Sequence, residues 1–261
     1  MTDFSYKITL SYHGGRYKGW QVQPRPIPTV QNELNKALGK ISKSQNVKSV
    51  ASGRTDAGVH ALGQVCSVFL PLQLSPEALT KALNSNLPDD IRVLTAQVAP
   101  KGFRPINDCE WKEYIYLFTC GERLFPFMKD CVGHCGYQLD IEPMKKACAA
   151  FVGEHDFCNF FTVGTPVSTT VRTIYECELT EFDNGPFFTP LTGNVYSFRV
   201  RGSGFLKQMV RLMVSAIWSV GRGKVSIQNL EVALRQKCDH KLAPVAPPEG
   251  LYLNKVHYLP S

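Results

Sequence analysis

The segment Gly53-Arg54-Thr55-Asp56-Ala57-Gly58-Val59-His60 sets one carboxylate between two glycines, beside an arginine and just ahead of an apolar run. Glycine accepts backbone conformations that other residues resist, so such a loop can expose a carboxylate while another stretch of backbone comes close. A carboxylate presented this way can serve as a nucleophile or as a base. The same residue types also suit a plain Asx-turn, in which the aspartate side chain binds its own backbone, and taken alone they favour that reading.

Other residues with chemical potential are scattered. A carboxylate in a partly desolvated cleft drifts toward its protonated form unless a cation is near. Arg211 is the candidate cation: it interrupts the apolar stripe of a strong helical segment, and Lys207 lies one turn earlier on the same side. The alternative for both is a solvated polar face. Tyr114 and Tyr116 share one face of a predicted strand. Cys131, His134 and Cys135 raise a metal question, but no second ligand pair joins them at a recognisable spacing, so they read as strand cysteines beside a surface histidine. The nine cysteines, an odd number set among apolar neighbours, fit reduced thiols better than a disulfide framework.

These residues need elements to position them. Tyr6, Ile8, Leu10 and Tyr12 alternate with polar residues, the period of a half-buried strand. Thr29 is placed to cap a helix with Val30, Leu34, Ala37, Leu38 and Ile41 on one face. A short strand over 47–50, a strand over 65–70, a helix begun by Ser75-Pro76-Glu77 and a strand over 91–98 complete a β-α-β-β-α-β order. The rest predicts strands over 111–119 and 131–137, then a helix capped by Asp140 with a stripe of Met144, Ala147, Cys148 and Phe151 and with Gly153 just past its end. Strands over 171–179 and 195–200 flank the turn-rich Asp183-Asn184-Gly185-Pro186. The strongest helix carries Leu206, Met209, Val210, Met213, Ala216, Ile217 and Val220 up to Gly221, and a helix from Ser226 and a strand over 251–258 follow. The expected fold is α+β, two split β-α-β halves of ferredoxin-like type, 1–105 and 106–261, whose antiparallel sheets flank a central cleft.

A formal net charge of +7 tilts the expected partner toward an anion, without a dedicated polybasic tail. The residues from Met1 to Tyr6 lack a basic stretch followed by an apolar run, and nowhere do 18 apolar residues follow one another. A soluble cytoplasmic protein with no membrane contact is the expectation.

The nine residues from Gly53 to Ala61 resemble the signature of the TruA family of tRNA pseudouridine synthases. Gly19-Trp20-Gln21-Val22-Gln23, Thr29-Val30-Gln31, Leu83-Asn84-Ser85-Asn86-Leu87-Pro88, Lys112-Glu113-Tyr114-Ile115-Tyr116, Met209-Val210-Arg211 and Glu249-Gly250-Leu251-Tyr252-Leu253 are similar to further family blocks and arrive in the same order. The resemblance implies conversion of uridine to pseudouridine in the anticodon stem-loop of tRNA, at positions 38, 39 or 40, by a homodimer needing no metal or other cofactor. It implies Asp56 as the catalytic carboxylate, either a nucleophile or a base on a glycal route. Arg54 is then the residue that braces the gap left by the extruded nucleotide. Tyr114 is the tyrosine that stacks on uracil, with Tyr116 as the near alternative, and Arg211 is favoured over Lys207 as the active-site cation. Arg172, Arg199, Arg201, Arg16 and Lys18, together with Lys207, are candidate phosphate contacts. Trp20 and Gln21 are expected to hold the loop between the first strand and helix. Lys112-Glu113 before the tyrosine, the stretch over 103–109 and the segment over 186–194 depart from the bacterial pattern and bear on substrate choice.

Two other readings compete. A non-catalytic protein of paired RRM-like halves would share the charge and the fold, but no segment matches the basic-Gly-aromatic pattern of a stacking RRM, and it has no use for Asp56. A nucleoside hydrolase would use the same carboxylate with water, and leaves the chain-long resemblance unexplained.

Overall fold

The computed structural model describes residues 4–44, 47–121, 124–162, 164, 167–182, 194–238 and 242–259. The chain is mixed α+β and divides into two compact units, Met1–Glu110 with Tyr252–Ser261, and Trp111–Leu251.

In the first unit the order is β1 (Phe4–Tyr12), α1 (Val30–Ser42), β2 (Lys48–Ala51), β3 (His60–Leu70), α2 (Pro76–Asn84) and β4 (Ile91–Val98), with β10 (Leu251–Tyr258) returning from the far side of the sequence. The alternation in β1 is real: Tyr6, Ile8, Leu10 and Tyr12 are buried and the residues between them are not. Strand β1 is central, antiparallel to β3 on one side and to β4 on the other. Strand β3 then carries β2 antiparallel along its second half and β10 parallel at its start, where Tyr252 and Leu253 pair with His60 and Ala61. Both helices start as their sequences dictate. The Thr29 hydroxyl accepts from the Asn32 N–H and the Ser75 hydroxyl from the Ala78 N–H, each satisfying an amide that the first helical turn leaves unpaired. Leu34, Leu38, Leu79 and Leu83 are fully buried, each contributing about 1.5–3 kcal/mol of transfer free energy. Ile41, expected on the same face, is half-buried.

The second unit holds β5 (Cys109–Cys120), β6 (Gly133–Cys135), α3 (Ile141–Ala149), β7 (Gly153–Asp156), β8 (Val171–Phe182), β9 (Val195–Gly202), α4 (Met209–Gly221) and α5 (Ile227–Ala233). Strands β5, β9, β8 and β7 form an antiparallel sheet in that order, and β6 runs parallel to β5. The Asp140 carboxylate caps α3 and the Ser226 hydroxyl caps α5.

Four sequence expectations change. Gly153, expected just past α3, has φ +114° and opens β7, a strand the sequence did not reveal, while the helix itself ends at Ala149. The 131–137 segment shrinks to the three residues of β6. All residues of α4 are buried, so the expected stripe is a helix enclosed all round. That helix starts only after Gln208, whose φ of +61° ends the preceding loop, so Leu206 and Lys207 lie outside it. The turn at Asp183-Asn184-Gly185-Pro186 falls outside the described residues. Among the described residues no helix is long and apolar enough to cross a membrane.

Candidate functional site

The Asp56 loop joins β2 to β3 and is held from three sides within the first unit. From below, the Ser52 hydroxyl donates to Gln64 Oε1 at 2.9 Å, and Gln64 Nε2 donates to the Gly53 carbonyl at 2.9 Å. From β1, Tyr12 Oη and Thr55 Oγ1 meet at 2.8 Å, both residues buried. Burial pushes the Tyr12 phenol well above its ordinary pKa, so it keeps its proton. From the segment after β1, the Trp20 N–H donates to the Thr55 carbonyl at 3.1 Å and the Gly58 N–H to the Tyr17 carbonyl at 3.2 Å.

This clasp explains two glycines. Gly19 sits at φ +93°, and a Cβ there would come within 2.7 Å of the Thr55 carbonyl oxygen. A Cβ on Gly14 would fall 2.0 Å from the Val59 carbonyl oxygen. Side chains are excluded because two backbone segments touch. The loop closes on itself through the Val59 N–H to the Asp56 carbonyl at 3.2 Å. His60 then starts β3. Its Nδ1 accepts from the Gly14 N–H at 3.0 Å, which puts the proton of the neutral ring on Nε2, and the ring stacks on Tyr252 with centroids 4.7 Å apart.

The result is a rigid backbone presenting a half-buried Asp56 flanked by an exposed Arg54. Arg16 and Lys18 belong to the clasping segment and are exposed as well, with Arg16 Nη1 3.2 Å from Asp90 Oδ2. Four of the residues singled out from the sequence are thus gathered on one loop pair. Trp20 is buried and structural, as expected, whereas Gln21 is exposed.

In the second unit, Tyr114 and Tyr116 separate. Tyr116 is fully buried, donates from Oη to the Pro247 carbonyl at 2.9 Å and packs edge-on against Trp218. Burial pushes its phenol far up. A Cβ on Gly133 or on Gly250 would collide with its ring, so the core is built around it. Tyr114 retains 7% exposure, and its ring meets that of Phe205 edge-on at 5.0 Å. Phe205 lies in the loop between β9 and α4. A Cβ on the neighbouring Gly204 would meet Arg172 Nε at 3.8 Å, so Tyr114 and Arg172 approach the same loop. Lys207, at the end of that loop, is exposed.

Arg211 stands apart from Lys207. It is 9% exposed inside α4, and its Nε donates to the Ala246 carbonyl at 2.6 Å. The expected shared face is therefore lost, because Lys207 precedes the helix. Arg172 Nη1 donates to the Thr169 and Val171 carbonyls, and desolvation lowers its pKa.

Arg199 and Arg201 have carboxylate partners. Arg199 binds Glu113, Glu176 and Glu178, and Arg201 binds Glu113 and Glu176 while lying 4.4 Å from the Trp111 ring centroid. Three carboxylates thus surround these two guanidiniums and compensate their charge. Glu113, 6% exposed and passed over at the sequence level except as a departure from a motif, is the hub of the cluster. Its signal was its place on the opposite face of β5 from Tyr114.

No disulfide joins any of the nine cysteines. Among the described residues no three His, Cys, Asp or Glu side chains are grouped to hold a metal ion, and His134 Nδ1 instead lies 3.1 Å from Thr119 Oγ1.

Known proteins bear on this geometry. A tRNA pseudouridine synthase family model matches residues 8–105 and 147–259, which include Arg54, Asp56 and Arg211 but not Tyr114. The chain is 38% identical to tRNA pseudouridine synthase A of Lacticaseibacillus casei (strain BL23), covering 97% of this chain and 99% of that protein. It is 40% identical to tRNA pseudouridine synthase A of Geobacillus sp. (strain WCH70), covering 97% of each. Among solved structures, a Cbf5-Nop10-Gar1 complex matches at a TM-score of 0.32 and 13% identity, covering 95% of this chain and 57% of that one, too distant a likeness to bear on the site. A carboxylate loop clasped by backbone contacts thus sits inside a match that runs nearly end to end, and the chain belongs to the tRNA pseudouridine synthase family.

Proposed function

We infer that the protein is an isomerase that converts uridine to pseudouridine in tRNA, with Asp56 as its catalytic carboxylate. The reaction breaks the bond from C1′ to N1, turns the uracil and joins C1′ to C5. The C5 proton leaves to solvent and N1 takes one up, so no electrons are gained or lost. Asp56 serves as a nucleophile toward the base or sugar, or as the base that opens a glycal route. The observation that carries this reading is the clasp on the loop. A side chain whose backbone is fixed by the Trp20, Tyr17, Tyr12 and Gln64 contacts is preorganised for one geometry.

The remaining roles follow from exposure and chemistry. A base stacked in a stem is out of reach, so the target nucleotide is extruded, and the exposed Arg54 braces the space it leaves. The Tyr114 ring lies against the uracil, because Tyr116 is committed to the core. Arg211 supplies a fixed cation. Arg16, Lys18, Arg172 and Lys207 meet phosphates. The finer architecture belongs to this proposal too: RRM-like halves, 1–105 and 106–261, that serve one RNA-binding cleft. The β-α-β-β-α-β order of the first unit supports it. So do action at positions 38, 39 or 40 of the anticodon stem-loop, assembly as a homodimer and work in the cytoplasm.

The test is tritium release from tRNA transcripts labelled at C5 of uridine. Wild-type protein is expected to release tritium and Asp56→Asn to release none while still binding tRNA. Full activity in Asp56→Asn would sink the assignment, and free uracil as product would make the enzyme a hydrolase.

A further inference from the structure

Away from the Asp56 loop, the first unit carries an open groove of about 560 Å³ between the outer face of α1 and the chain that leads into β2. Asn32, Asn35, Lys36, Gly39, Lys40, Lys43, Ser44 and Val47 line it, with three cations and no carboxylate among them. Lys36, Lys40 and Lys43 recur at intervals of four and three, so they rise from one side of α1 and its cap. All three are exposed. Lys36 Nζ holds Glu33 Oε1 at 2.7 Å outside the lining, whereas Lys40 and Lys43 have no ion pair among the described residues. Asn35 Oδ1 accepts from Ser49 Oγ at 2.7 Å, which turns its amide nitrogen away from β2. Gly39 forms a thin wall, since a Cβ there would sit 3.1 Å from the Ser44 carbonyl oxygen.

The helix gains little from this arrangement. A cation in the last turn complements the helix dipole, which accounts for Lys40. Lys36 four residues earlier is offset by its own pair with Glu33, and Lys43 sits in the left-handed region at φ 52°. Three exposed lysines with amide donors between them and no acid in the lining describe a surface for an extended polyanion. The groove is also too open to enclose a small molecule.

We propose that this groove binds the phosphate backbone of the tRNA at a place separate from the reacting uridine, through Lys36, Lys40 and Lys43. The proposal rests on the reading of the protein as a tRNA-modifying enzyme. It makes the lysines contributors to affinity and not to chemistry.

The experiment compares wild type with Lys36→Gln/Lys40→Gln/Lys43→Gln and with the corresponding triple arginine variant. Fluorescence anisotropy across a salt series gives the dissociation constant for full-length tRNA, and tritium release at saturating tRNA gives kcat. The glutamine variant is expected to bind roughly tenfold more weakly, with a salt slope shallower by about two to three and kcat unchanged, because each phosphate neutralised contributes close to one unit of slope. The arginine variant is expected to behave as wild type, which separates charge from folding. Unchanged affinity and slope in the glutamine variant would overturn the proposal and leave the groove to a protein partner. Absence of tritium release by the wild type would instead defeat the underlying functional reading.

Discussion

Tyr12 Oη lies 2.8 Å from Thr55 Oγ1 in a buried contact between the last residue of β1 and the residue before Asp56. Each hydroxyl is the other's partner, and the strand that organises the first unit therefore reaches directly to the Asp56 loop. The carboxylate is located by the core, one residue removed.

Tyr12→Phe leaves the Thr55 hydroxyl buried without that partner. The expected cost is about 1–3 kcal/mol of stability, accompanied by a fall in kcat, measured by urea denaturation and tritium release. An unchanged kcat would reduce the contact to packing.

Gly19→Ala forces a side chain into a backbone at φ +93° and against the Thr55 carbonyl, 2.7 Å from the new Cβ. Displacing a catalytic group by about 1 Å costs on the order of a hundredfold in rate. The variant is expected to fold and bind tRNA yet lose about that much kcat, and a wild-type rate would show that the loop is not held from this side.

Arg211→Ala is expected to lower turnover far more than tRNA affinity. The same holds for Arg211→Lys, which keeps the charge but gives up the guanidinium Nε that donates to the Ala246 carbonyl. Equal losses in kcat and affinity would recast Arg211 as a phosphate contact.

Arg199→Ala tests the carboxylate cluster. The hydrogen bond to Glu178 comes first among the causes that raise the folded pKa of Arg199. This contribution is therefore fully present below the unfolded value and is lost only as pH climbs through the folded one, far above neutrality. At neutral pH the variant is expected to lose about 1–2 kcal/mol, since Glu113 is nearly buried and loses one of its cations, while the salt dependence of tRNA binding stays put. A shallower salt slope would restore Arg199 as an RNA contact.

Much of this was legible in the chain because local signals agreed with the fold. Alternation marked β1, and hydroxyl or carboxylate caps marked α1, α2, α3 and α5, since those features depend on neighbours in sequence. Strand β7 escaped because Gly-Glu-His-Asp has neither apolar alternation nor β-branched residues, and only its pairing with β8 makes it a strand. The start of α4 escaped because Gln208 in a left-handed conformation leaves no signature, and a run of apolar residues shows no boundary where burial is complete. The Asp56 loop was legible as a motif but not as a mechanism of support. The clasp by Gly14, Gly19 and Trp20 consists of backbone contacts across some forty residues, which no spacing rule encodes. The tie between Arg199 and Glu113 likewise depends on strand register, so the arginines looked free for RNA when read singly.

His60 rests on Tyr252, and Gly63 lies so near the Asn254 carbonyl that a Cβ would close to 2.6 Å, yet β10 is made only after the entire second unit. The nascent first unit therefore emerges from the ribosome with the start of β3 uncovered. Contacts so distant along the chain form late, because the intervening polypeptide must be gathered before they reward closure. Closure of the sheet beside the Asp56 loop is thus deferred until synthesis has passed through the second unit, and a prematurely terminated product would carry the motif without the strand that pairs beside it.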